Sequence, residues 1–548
     1  MTEEQTKRSA ITANKLIDWL RTYASRRINS RLMDERRCIP PHVMLELGNQ
    51  GILGMNVPKE YGGLGLTDVD IMRVTQQLGA IDISLATFVS CHMLLGVYSI
   101  IHHARPELRA RLLPHIATGR TLAAFALTEP EAGSNPRGLI ATGVSDKTGN
   151  WRLNGDKCWI GNGSSAGVVS VFVRLLDVQG RSRGITGFVL EADNPGLHPG
   201  LEALTMGMRG MVQSGLHLRD APVTEEALLG EPGAGFVVAQ DAMMTGRLGI
   251  GAMCVGATRR CAQLFHRYAE RRIIATSRLL DNPVTLERLA FMDRSAVAVE
   301  SLVYRLAELR DRGEYVPDFG YVVCKIAGSE FLCQSLDWVM QGLGGRGYME
   351  NNVIPQMLRD ARVFRIFEGP TETLQMYLGQ RLLYRSRGLI TQFIARQLKS
   401  PRMAERTCAA IDAITDARKG RVESSPDQKQ RLAFRCGELA TWCVLTAALD
   451  GLPSDQRKRG HSDAQSWTEQ QFDMQLRRIV KGETLFVPTA SELVGRISAY
   501  VDSVGDLEQD LPCEDWALDP MLRVDPTKIE TAPIQPQTVS NPETATSK

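Results

Sequence analysis

The sequence is short of the features that announce most specialised functions. Its 11 cysteines over 548 residues include no Cys-x-x-Cys pair and no Cys/His cluster. That excludes a disulfide framework or a zinc module and fits reduced thiols. An excess of one charge is missing too: 64 basic against 62 acidic side chains leave a net +2, no basis for a nucleic-acid surface. No uninterrupted apolar run approaches the ~18 residues of a membrane span, and no strongly basic amphipathic helix points to a membrane surface. The start, MTEEQTKRSA, lacks an apolar signal core, and the final TSK is no peroxisomal address. The expected location is the cytoplasm.

What is present is ordinary for a globular protein, 43% apolar and 23% charged, in a chain whose length predicts about two to four domains. Three textures succeed one another. Residues 1–124 read as helices separated by polar and glycine breaks such as VPKEYGGLGL. Within 125–232 short alternating segments, NWRLNGDKCWIG, GVVSVFVRLL and GITGFVLEA, read as strands of a small sheet or barrel. From 233 to 388 long helical periodicities return and predict a bundle, and 389–524 holds further helix-like segments. The last stretch, 525–548, is rich in Thr, Pro, Ser and Gln and is expected to be disordered.

The candidate chemistry starts at RIFEGP, 365–370. Gly followed by Pro predicts a helix entry with Gly369 near the N-cap and Pro370 at the first helical position. Glu368 is thereby left on a connector beside a positive helix end. Taken alone it reads as a solvated loop acid. The loop FALTEPEAGSNP, 125–136, offers backbone N–H groups and hydroxyls from Thr128 and Ser134, and it serves equally as a domain junction. Trp159 in GDKCWIGNG is either sheet packing or a wall for a planar ring. QGLGGRGY, 341–348, lacks both the dinucleotide and the P-loop spacings, and Ser164 and Ser165 lack a nucleophile elbow. His102 and His103 have no third ligand at metal-binding spacing and read as a solvated pair.

Taken together and in this order, GILGMNVPKEYGGLG, ALTEPEAGSNP, NGDKCWIGNG, GEPGAGF, AERR, QGLGGRGY and LRDARVFRIFEGPTE resemble the acyl-CoA dehydrogenase family over about residues 30–388. The resemblance implies a mainly α fold with a central β domain: an N-terminal helical domain, a small β-barrel and a C-terminal four-helix bundle, here with an extra C-terminal helical domain. It implies FAD, and Glu368 as the base that removes the α-proton of an acyl thioester while the β-hydrogen leaves as hydride. It places Phe125, Leu127, Thr128, Gly133, Ser134, Trp159 and Gly161 along the flavin, with Pro370 and Glu372 among its contacts. Arg271, Gln341 and Gly345 are expected to reach the FAD of a partner subunit. Ser134, Met244 and Arg247 fall in the substrate region.

Some positions depart from the family pattern. Gly161 replaces a common Thr or Ser, Met244 a common Asp or Asn on the CoA side, and Pro370 a Thr. Gly246 stands where some branches place an alternative Glu base. The implied substrate is acyl-CoA, or an acyl-carrier-protein thioester given Met244, and the implied electron acceptor is an electron-transfer flavoprotein. Oxygen as acceptor and a catalytically vestigial flavoprotein scaffold are the rival expectations. The extension resembles that of very-long-chain-type members and implies a homodimer.

Overall fold

The first helix begins where the sequence supplies a capping box, with Thr2 accepting from Gln5 N–H and Gln5 answering to the Thr2 backbone. The computed structural model describes residues 2–145, 150–385, 387–419, 426–457, 459–482 and 488–505. Residues 1–482 form one compact unit and 483–548 another. The tail expected to be disordered from 525 lies outside the described residues.

The N-terminal region is helical: α1 (Glu3–Arg27), α2 (Ser30–Glu35), α3 (Pro41–Asn49), α4 (Asp68–Ile81), α5 (Ile83–Ser90), a π-helical stretch Cys91–Val97, α6 (Tyr98–His103) and α7 (Pro106–Ala117). The β region comprises β1 (Ala123–Ala126), β2 (Thr142–Ser145), β3 (Trp151–Gly161), β4 (Val168–Leu176), β5 (Ser182–Glu191), β6 (Leu197–Glu202), β7 (Gln213–Val223) and β8 (Leu228–Leu229). The expected small barrel takes the form of one eight-stranded sheet, ordered β6-β7-β3-β2-β4-β5-β8, with β1 added on β4. The bundle follows as α8 (Gly235–Arg271), α9 (Pro283–Asp311), α10 (Asp318–Leu343), α11 (Ile354–Arg362) and α12 (Thr371–Gln380). Beyond it lie α13 (Arg387–Gln392), α14 (Pro401–Asp416), α15 (Pro426–Asp450) and α16 (His461–Lys481); the second unit holds α17 (Ala490–Ser498) and α18 (Val501–Val504).

The extension is welded to the bundle. Phe291 on α9 and Phe331 and Trp338 on α10 meet Trp442 on α15 and Trp467 on α16, with ring centroids 4.9–5.8 Å apart, mostly edge to face. Helices α12 and α15 touch backbone to backbone. A Cβ on Gly379 would stand 1.7 Å from the Ala433 carbonyl oxygen, and one on Gly437 1.9 Å from that of Gln375. Two stretches, Ile83–His103 and Asp427–Asp450, are long and apolar enough to cross a membrane, but 89% and 78% of those windows are buried inside the protein. Their apolarity is that of core helices.

Strands β1 and β2 lie end to end along one edge of β4, both parallel to it, so residues 127–141 must leave the sheet between them. This excursion is held by an ion pair with no access to water. Lys157 Nζ donates to Glu129 Oε1 at 2.7 Å, to the Leu127 carbonyl at 3.2 Å and to the Phe172 carbonyl at 2.6 Å. Glu129 in turn accepts from the N–H groups of Ile140 and Ala141. The π-helix is tied to the sheet by buried His92: Nδ1 accepts from Ala123 N–H, which leaves Nε2 to donate to the Leu53 carbonyl. Burial depresses the His92 pKa to about 4.

Two outcomes follow from these anchors. Lys157→Met strands the Glu129 carboxylate and should cost about 3–5 kcal/mol in denaturant unfolding. Because the folded pKa of His92 lies below its ordinary value, the unfolded chain takes up the proton first as pH falls. The stability His92 supports is present above pH ~6.5 and lost toward pH ~4, by about 3 kcal/mol. Melting curves from pH 7.5 to 4.5 should therefore fall less steeply for His92→Gln.

Candidate active site

After α11 the chain makes a short turn at Val363–Arg365 and then enters a region that L-residues rarely occupy. Glu368 has φ +55° and Gly369 φ +97°, two left-handed residues in succession. The helix break is therefore one residue later than the Gly-Pro pattern predicts: Pro370, extended at φ −57° and ψ 144°, is the N-cap, and α12 starts at Thr371. Glu368 stands on the connector, as expected.

Three side chains hold this turn. Arg247 of α8 donates through Nε to the Glu368 carbonyl at 3.1 Å, and Lys325 of α10 through Nζ to the Gly369 carbonyl at 2.5 Å. Glu330, also on α10, clasps both flanks, accepting from Arg365 Nε at 2.7 Å and from the Thr371 hydroxyl at 2.6 Å. The Glu368 carboxylate itself is left for other work. Its Oε2 is shut off from solvent and has no hydrogen-bond partner. Burial raises its pKa, opposed by the positive charges of Arg247 and Lys325.

Small and apolar groups face the carboxylate. A Cβ on Gly246 of α8 would lie 3.8 Å from Glu368 Cδ and 2.9 Å from Leu95 Cδ2. The position of the alternative base thus opens directly onto Glu368, and glycine leaves it to Leu95. Along residues 83–100 every side chain is buried except Cys91 and Leu95, one turn apart on the π-helix. A Cβ on Gly161 would meet Cys91 Sγ at 3.5 Å and Met211 Cε at 3.4 Å. Burial, and then the negative charge of Glu368, push the Cys91 thiol up to about 12. It is a neutral lining group. π-helical turns of this kind recur at functional sites, where the wider turn re-aims side chains.

The end of β3 supplies the next wall. A register shift between Lys157 and Ile160 puts Trp159 at φ +56° with its indole 62% exposed. Cys158 N–H donates to the Thr128 carbonyl at 3.1 Å, which ties this bulge to the excursion after β1. Phe125 is half-buried against Phe172, with centroids 5.0 Å apart, and Leu127 is buried. Gly133 and Ser134 are exposed on the same excursion, and a Cβ on Gly133 would meet nothing within 4 Å. An uncovered indole, an open glycine backbone and an orphaned buried carboxylate oxygen fit a planar ring system and a reacting carbon between them.

Met244 is half-buried, its Sδ 3.6 Å from Arg247 Nη1, and Glu372 is exposed in the first turn of α12. Arg271, Gln341 and Gly345 are exposed elsewhere. Arg271 closes the C-terminal end of α8, about 36 Å along that helix from Arg247, too far to serve the same pocket in one chain. His103, read as solvated, pairs with Asp241 at 2.8 Å. Among the described residues no group of three or more His, Cys, Asp or Glu could hold a metal ion. Lys325, Cys91 and Leu95 were not legible as site residues. The one signal was a lysine inside the apolar run YVVCKIAG.

The chain matches the acyl-CoA dehydrogenase N-terminal domain over residues 12–120, the middle domain over 124–221 and the C-terminal domain over 233–383. It is 31% identical over 354 residues to an acyl-CoA dehydrogenase of Bacillus subtilis, a match covering 65% of this chain and 93% of the relative. Against the very long-chain specific acyl-CoA dehydrogenase of Rattus norvegicus it is 31% identical over 335 residues. That match covers 60% of this chain and spans about half, 51%, of the relative. In fold it resembles an acyl-CoA dehydrogenase of Bacillus anthracis solved with FAD, with a TM-score of 0.72 at 23% identity over 94% of this chain and 93% of the other, so the likeness reaches into the extension. The chain belongs to the acyl-CoA dehydrogenase family and is an FAD-dependent oxidoreductase.

Proposed function

We propose that the chain oxidises a saturated acyl thioester to the trans-2-enoyl thioester with Glu368 as the base. The observation that carries this is the partnerless Oε2 of Glu368, buried against Gly246 and aimed by a turn that three side chains hold. A carboxylate that burial has made more basic is suited to a weakly acidic α-carbon. FAD, when bound, supplies the hydride acceptor for the β-hydrogen. Trp159 and Gly161 would flank its ring, Phe125, Leu127, Thr128, Gly133 and Ser134 would line it, and Pro370 and Glu372 would contact it beside the base. Leu95 and Cys91 help exclude water from the carboxylate, which keeps its basicity high. The Glu368 backbone N–H, presented by the left-handed turn, is the donor assigned to the thioester oxygen. Met244 and Arg247 bound the substrate side, and Ser134 reaches toward the thioester.

Arg271, at the far end of α8, and Gln341 and Gly345, at and just past the end of α10, are assigned to the flavin of a second subunit. The working form is thus a homodimer in which each subunit completes its partner's cofactor site. The location is cytoplasmic, and the electrons leave to an electron-transfer flavoprotein. The carrier on the thioester is CoA.

The purified protein should be yellow, and anaerobic addition of the right acyl-CoA should bleach its long-wavelength flavin band. Glu368→Gln should keep the flavin and lose bleaching by about 10²–10⁴-fold. Bleaching by carrier-protein thioesters alone would move the substrate to that carrier. Bound flavin that no thioester bleaches would favour a scaffold, and a protein unable to take up FAD would overturn the reading.

A further inference from the structure

Lys325 is among the largest fully buried side chains, in mid α10 between Cys324 and Ile326, both buried as well. Among the described residues it makes no ion pair within 4.0 Å, whereas the equally buried Lys157 pairs with Glu129. Its near acid, Glu330, is engaged by Arg365 and Thr371. A lone ammonium in a protein interior is strongly disfavoured unless it does something a methionine cannot. Its hydrogen bond is to the carbonyl of Gly369, the residue after the base.

We propose that Lys325 is a positioning residue of the reaction, which fixes the left-handed Glu368–Gly369 turn and, together with Arg247, sets the protonation of the Glu368 carboxylate. The inference rests on the reading of Glu368 as the base. Two consecutive carbonyls, Glu368 and Gly369, each receive one cation, from α8 and from α10. Neither cation is within ion-pair distance of the carboxylate, so neither neutralises it, and Oε2 stays without a partner. Both act on it through space, in a setting where burial lengthens the reach of charge. Their field lowers a carboxylate pKa that desolvation raises.

The groups facing this centre are few. Lys325 faces Arg247 and Cys254 from α8, Glu368 from the turn and Glu330 from its own helix. Glu368 faces Arg247, Lys325 and, from the π-helix, Cys91. The Cys91 and Cys254 thiols are held neutral by burial, and Arg247 stays charged through the working range. Lys325 is different: burial, then Arg247, bring it down to about 8. As pH rises through that value the cation is lost, and the base loses one of its two fields.

The test is the pH dependence of thioester-driven flavin bleaching in Lys325→Met, with FAD content and melting temperature recorded. The expected variant binds FAD, loses at least tenfold in kcat/KM at pH 7 mainly through kcat, and shows its rising limb at higher pH than the parent. The parent should show a second inflection near pH 8 that the variant lacks. A flavin-loaded Lys325→Met whose profile overlays the parent within twofold would overturn the proposal. Should that variant not fold, Lys325→Gln repeats the test, and a parent profile with no inflection near pH 8 counts against the proposal on its own. Full activity in Glu368→Gln would instead overturn the base assignment; an inactive Glu368→Gln beside an unaffected Lys325→Met would overturn this inference alone.

Discussion

The site depends on keeping one carboxylate dry without neutralising it. Water would solvate Glu368 and remove the desolvation that raises its pKa, and a salt bridge would offset that rise by another route. The fold avoids both. It sends the cations of Arg247 and Lys325 to the two carbonyls of the turn instead of to the carboxylate oxygens. The polar demand of the buried backbone is met, and Glu368 Oε2 stays without a hydrogen-bond partner. The left-handed geometry is part of the same arrangement. With φ positive at Glu368 and Gly369 the two carbonyls turn toward α8 and α10 while the side chain turns toward Gly246.

A second constraint acts on the opposite wall. Because β1 and β2 share one edge of β4, the chain between them has to bulge, and a bulge that leaves the sheet needs an anchor of its own. The Lys157–Glu129 pair supplies it from inside the sheet, and the bond from Cys158 to Thr128 makes the Trp159 bulge and the excursion one object. The two walls obey one logic: a buried cation holds main-chain carbonyls so that a neighbouring side chain can face the cavity. On one wall the cation is paired; on the other, Arg247 and Lys325 have no ion pair among the described residues and lie beside Glu368.

The order of helices, strands and bundle was legible because it follows from local periodicity and turn chemistry, whereas Glu368 read alone as a solvated loop acid and was singled out only by the resemblance that several distant motifs carry together. The N-cap was misplaced by one residue because Glu368 adopts a left-handed conformation that its own side chain does not favour. That conformation is imposed by Arg247 and Lys325, 121 and 44 residues away. Lys325 itself was hidden for a related reason. A lysine in an apolar helix carries no sequence mark of its partner when that partner is a backbone carbonyl. Cys91 and Leu95 could not be distinguished from their neighbours, since the whole stretch is apolar and only packing leaves those two facing a cavity. The welding of the extension to the bundle depends on rings contributed by four helices, a pairing that no local pattern displays.

The contact of α12 with α15 carries a consequence of its own. At Gly379 and Gly437 no layer of side chains separates the two helices, so there is nothing soft between them to absorb a displacement. The helix that begins three residues after Glu368 is therefore braced by a segment about sixty residues further along the same chain. A brace supplied by a separate molecule weakens on dilution. One supplied in cis does not, so this part of the scaffold behind Glu368 keeps its stiffness at any protein concentration.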